Sequence, residues 1–63
     1  MIYVDYEYYS VSEKTWKEGT TEFGSVYKAE RFIRKVKNDK YMYLVGWRCD
    51  DPEDNEYLNR RGL

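Results

Sequence analysis

The chain has 63 residues, with eleven basic and twelve acidic side chains, no histidine and a single cysteine, Cys49. A chain of this length forms one domain and buries only ~60% of its unfolded surface, so its core needs help from tight packing, a disulfide, a metal or a second chain. One cysteine excludes an internal disulfide, and without histidine a tetrahedral zinc site has nothing to build on.

Packing and self-association remain. Eight Tyr, two Trp and two Phe supply large, stiff side chains suited to both, and a homodimer is expected. The first residues, MIYVDYEYY, carry Asp5 and Glu7 where a secretory signal would be basic, and no apolar run approaches membrane-spanning length. The expected location is the cytoplasm, and the unpaired cysteine fits that reducing compartment. A net charge of −1 favours neither binding nor wholesale mimicry of nucleic acid.

From Ile2 the chain alternates: Ile2, Val4, Tyr6 and Tyr8 point one way and Tyr3, Asp5, Glu7 and Tyr9 the other, the pattern of a half-buried strand. Turn-forming and charged residues follow, and an edge strand over Lys14 to Thr21 is expected to fold back as a hairpin. Ser10 and Glu13 have capping-box spacing, but no helical periodicity follows them. Trp16 and Phe23 are the expected core residues of this stretch.

The clearest helix is VYKAERFIRKVKND, with Ser25 as its expected N-cap. Val26, Ala29, Phe32, Ile33 and Val36 recur at three- and four-residue spacing as one apolar stripe, and Glu30 precedes Arg34 in the favourable i,i+4 order. Asn38 reads as a left-handed stop. Tyr41 to Asp50 is apolar on both faces for most of its length, the pattern of a central strand, and Gly46 within it signals a bulge or a close backbone approach. At Asp51-Pro52 a capped helix begins, with Glu53, Asp54 and Glu56 at its positive end. It runs to Arg60 or Arg61, with Gly62 as its C-terminal cap. Glu56 and Arg60 form a second i,i+4 pair, and Tyr57 and Leu58 are its docking residues. The expected fold is α+β, in the order β-β-α-β-α: a small antiparallel sheet of two or three strands, an amphipathic helix on one face and a short C-terminal helix. The other face carries tyrosines, and a large apolar patch left in water marks an interface.

Three groups of residues invite a functional reading. Asp50, Asp51, Glu53, Asp54 and Glu56 form a dense acidic cluster. Calcium-loop spacing fails, because a loop starting at Asp50 puts Pro52 and Arg61 at ligand positions, and one starting at Asp51 puts Glu56 where the tight-turn glycine belongs. Capping and dipole compensation explain Asp51, Glu53 and Asp54. Asp50 and Glu56 are the excess left to meet a basic partner. Between Lys28 and Lys40 lie six positive and two negative charges. Such a run is commonly a solvated helix face, and alternatively Lys28, Arg31, Arg34, Lys35 and Lys37 bind nucleic-acid phosphates. Cys49 has no histidine base and reads as a small buried hydrophobe. With no histidine, phosphate loop, nucleophile elbow or metal cage in the sequence, neither catalysis nor a cofactor is expected.

The segment GWRCDDPEDNEYLNRR, with the preceding FGSVYKAERFIRKVKN, resembles short proteins encoded by phages and prophages of streptococci and related Gram-positive bacteria. Within that group it is similar to the very small type II-A anti-CRISPR proteins, inhibitors of Cas9. The resemblance covers about the C-terminal two thirds of the chain. It implies a role, binding a Cas9 effector complex in a bacterial host cell, and assigns almost no site residues, because anti-CRISPR families share no common fold.

Overall fold

In the computed structural model, which describes Met1 to Leu63, alternation at the N-terminus becomes strand β1, Ile2–Ser10. It pairs antiparallel with β2, Thr15–Phe23, in an unbroken register from Ile2 opposite Phe23 to Ser10 opposite Thr15. The expected edge strand therefore forms, shifted toward Phe23. Four residues, Val11 to Lys14, close the hairpin, and Lys14 adopts a left-handed φ of 53°. Helix α1, Val26–Lys37, then crosses the sheet and returns the chain to β3, Met42–Cys49, which pairs antiparallel with the free side of β1. Helix α2, Pro52–Arg60, completes the order β-β-α-β-α.

The sheet order β2-β1-β3 puts β1 in the centre and corrects the expectation for Tyr41 to Asp50. Strand β3 is an edge, and its apolarity on both sides has a local cause. Asp5 faces Gly46 but Tyr6 faces Leu44, so Val45 has no partner and bulges. Beyond the bulge the alternation inverts. Met42, Leu44, Trp47 and Cys49 share the helix side, whereas Tyr41, Tyr43 and Val45 stay 55%, 63% and 61% exposed. Trp16, expected in the core, lies on that open side too, 49% exposed at the sheet edge with its ring edge-on to Tyr9 at 5.7 Å.

The core sits between the sheet and both helices: Ile2, Val4, Ala29, Ile33 and Leu58 are buried together, with Phe23, Val26, Phe32, Leu44, Trp47 and Tyr57 packed around them. Val36 is also fully buried, so the apolar stripe of α1 faces inward as its spacing requires. The helix ends differ from expectation in two details. Ser25 has extended backbone and its carbonyl accepts from the Ala29 N–H at 3.1 Å, but its hydroxyl makes no capping bond. Asn38 is right-handed, with φ −96°, because its N–H is shared between the carbonyls of Arg34 and Lys35, at 3.1 and 3.2 Å, and tightens the last turn. Gly62, after α2, does take the left-handed φ of 71°.

Candidate functional site

The acidic cluster follows from the way α2 starts. Asp51 is extended, and its Oδ1 accepts the Glu53 N–H at 2.9 Å; Pro52 occupies the first turn, where its missing N–H costs nothing. Glu53 and Asp54 fall in that first turn, beside unsatisfied backbone N–H groups that favour negative charge. The two residues that capping leaves over are paired within the chain. Asp50 lies 3.5 Å from the Met1 amino group, and Glu56 forms an ion pair with Arg60 one turn on. Glu53 and Glu56 line a shallow depression with Tyr57, Arg60 and Arg61, so that side of α2 is of mixed sign. Cys49 is half-buried, and burial, with Asp54 nearby, pushes its thiol above the ordinary range, away from the reactive thiolate.

What ties α2 to α1 is a carboxylate that the sequence presents only as half of an i,i+4 pair. Glu30 is 8% exposed, and its carboxylate receives four donors. Tyr57 Oη donates to Oε1 at 2.7 Å; Arg34 Nε and Nη2, at 3.1 and 2.9 Å, and Arg61 Nε, at 3.0 Å, donate to Oε2. The Tyr57 hydroxyl, then Arg34, then Arg61 hold this carboxyl at about 2, far below the usual range. In turn the Glu30 carboxylate raises the Tyr57 hydroxyl above its ordinary value. Arg61 also lies over the Tyr57 ring, 5.4 Å from its centre, and Tyr27 meets the same ring edge-on at 5.5 Å. The node joins α1 to the end of α2, and Leu58 beneath it is fully buried.

The basic face of α1 is divided by the same node. Arg34 is spent on Glu30, whereas Lys28, Arg31 and Lys35 are exposed and line one depression together with Phe32. Lys37 lies toward the far end, in a second depression with Arg34, Asn38, Gly62 and Leu63. Four of the five expected cations thus remain available on the surface, and three of them cluster.

The sheet register assembles a further surface that the sequence leaves scattered. On the side away from the helices, Tyr3 lies between Glu22 and Arg48, Asp5 between Thr20 and Gly46, Glu7 between Glu18 and Tyr43, and Tyr9 beside Trp16. Tyr41 joins Tyr9, with ring centres 6.5 Å apart. Arg48 grips Asp5 through two bonds of 3.0 Å and lies 5.2 Å above the Tyr3 ring; Thr20 donates to the same carboxylate at 2.7 Å. Arg48, then Thr20, hold Asp5 below the usual carboxylate range. Asp5 and Glu7 share a face in the alternation of β1, which is the one signal legible in sequence; the β2 residues join them only through the hairpin register.

No group of three or more His, Cys, Asp or Glu side chains is arranged to hold a metal ion, and no helix is long and apolar enough to cross a membrane. None of the known family models, curated proteins or solved structures matches the chain.

Proposed function

We propose that this chain is a non-enzymatic, phage-type inhibitor that binds a Cas9 effector, as protein or ribonucleoprotein, inside the bacterial host cell and blocks its DNA binding or cleavage. The observation that carries the reading is the acidic start of α2, fixed by the Asp51 cap on one side and by the Glu30–Tyr57–Arg61 node and Leu58 on the other. Cas9-type enzymes hold nucleic acid in positively charged channels and read the short PAM with arginines. Carboxylates in fixed geometry occupy the place of phosphates or base edges in such a channel at little cost in ordering. Glu53 and Asp54, which have no ion pair in the chain, carry most of this role; Asp50 and Glu56 contribute after exchanging their internal partners.

The test is DNA cleavage in vitro by a guide-loaded Cas9 with and without the protein. The wild type slows cleavage, and charge reversal of Asp50, Glu53 and Asp54, sparing the Asp51 cap, abolishes the effect. Unimpeded cleavage by the cognate enzyme ends the proposal, and inhibition by the reversed variant removes the site assignment alone.

The cluster of Lys28, Arg31 and Lys35 around Phe32 supports a second reading, a small phage nucleic-acid-binding or regulatory protein. It requires retention of single- or double-stranded nucleic acid that falls steeply with salt. Gel shifts at two salt concentrations distinguish it from the first.

A further inference from the structure

We propose that the uncovered face of the sheet is a docking surface for an arginine-bearing extended segment of a partner protein, with Glu7 and Glu18 receiving a guanidinium as Asp5 receives that of Arg48. The inference goes beyond the inhibitor reading and stands whether or not the partner is a nuclease.

The charge of this face is its first support. Among the strand residues of this face, Asp5, Glu7, Glu18 and Glu22 are joined by one cation, Arg48, which Asp5 already holds, while Lys40 at its end lies over the Tyr41 ring, 5.2 Å from its centre, and pairs with no carboxylate. Glu7, Glu18 and Glu22 take part in no ion pair within the chain. Glu7 and Glu18 are directly opposite each other on neighbouring strands, an arrangement that disfavours the sheet unless a cation lies between them. All the free cations of α1 are on the other side of the molecule. The face is therefore left with an uncompensated repulsion that an incoming guanidinium relieves.

The second support is a completed example within the chain. The Arg48 guanidinium donates from Nε and Nη2 to the two oxygens of the Asp5 carboxylate and rests on the Tyr3 ring, which is the combination that suits arginine better than lysine. One step along the strands the same elements recur without their cation: the carboxylates of Glu7 and Glu18, with Tyr9, Tyr43 and Trp16 as the adjoining rings. Between the two positions, Asp5, Glu18, Thr20 and Val45 line a shallow depression open to solvent. Charge also decides among occupants. Nucleic acid is repelled, and a second copy applied face to face brings unpaired carboxylates together, so the homodimer expected from chain length does not fit here.

The probe is a short arginine–glycine repeat peptide, titrated calorimetrically into the full chain at low and moderate salt, with the lysine–glycine peptide as comparison. Saturable binding is expected, with the arginine peptide the tighter ligand. Glu7→Gln with Glu18→Gln weakens it about tenfold, the loss of about 1.4 kcal/mol. Asn55→Lys with Asn59→Lys, an equal change in charge at two exposed positions of α2, leaves the affinity within about twofold of wild type, well short of that tenfold step. The sheet variant removes a repulsion and keeps the fold; Trp16→Ala, at an exposed edge, is an independent second variant that also weakens binding. Absence of saturable binding overturns the proposal, as does an equal loss in the sheet and α2 variants, which would mean bulk attraction. Self-association of the free chain that disappears on neutralising Glu7 and Glu18 overturns it too, because the occupant is then a second copy.

Discussion

Replacing Gly19 by alanine tests whether the hairpin register and the helix-side packing are as described. Gly19 faces Tyr6 across β1 and β2, and the tyrosine ring lies directly on it: a Cβ at position 19 would stand 2.9 Å from Cζ and 3.0 Å from both Cε2 and the hydroxyl of Tyr6. The ring has little freedom to retreat, since Phe32 meets it edge-on at 5.3 Å and the hydroxyl is 3.2 Å from Thr21 Oγ1. Making room forfeits part of that aromatic contact and the hydroxyl bond, each worth ~0.5–1.5 kcal/mol. Alanine returns roughly 0.5–1 kcal/mol over glycine in a strand interior. The net expected loss is up to about 2 kcal/mol, read as a lower urea midpoint at unchanged slope. Gly46→Ala is the internal control: nothing lies within 4 Å of its added Cβ, so it gains up to about 1 kcal/mol. Gly19→Ala must be the less stable of the two, and Tyr6→Leu in the Gly19→Ala background must recover much of the loss. A Gly19→Ala protein as stable as Gly46→Ala would refute this packing of Tyr6.

Three further outcomes are expected. The Glu30 carboxyl lies at about 2 in the folded chain against an ordinary 4.5. Its contribution to stability is therefore complete above pH 4.5 and lost as pH falls toward 2, and Glu30→Gln flattens the fall in urea midpoint over that window. Asp51→Ala removes the α2 cap and costs ~0.5–2 kcal/mol by the same denaturation assay, whereas Asp50→Ala, which breaks only an exposed ion pair, costs under ~1 kcal/mol. Leu58→Ala, at the fully buried anchor of α2, costs ~2–5 kcal/mol and raises amide hydrogen exchange in α2 above that in β1.

The parts of the fold legible in sequence are those decided by neighbours a few residues apart. Alternation from Ile2, the stripe from Val26 to Val36 and the Asp51-Pro52 start are local signals, and each became the expected element. Pairing across the chain was not legible. Apolarity on both faces made β3 look central, but the crossing helix returns it to the free edge of β1, and the Val45 bulge reverses which of its residues face the core. Trp16 lies outside the expected core because its face depends on a hairpin register fixed by a four-residue loop with Lys14 left-handed. The acidic cluster near α2 could be seen because its members are adjacent in sequence. The Glu30 node could be seen only as a pair with Arg34, since Tyr57 and Arg61 are 27 and 31 residues away. For the same reason Glu18, Glu22 and Trp16 join Asp5 and Glu7 on one surface only in the folded sheet.

The most direct measurement of the inhibitor reading is equilibrium binding of the purified chain to guide-loaded Cas9, followed by sedimentation with labelled protein. Saturable co-sedimentation with the effector, lost on reversing Glu53 and Asp54, is the expected result. A folded chain that sediments alone at every effector concentration, or that follows naked guide RNA equally well, would contradict it.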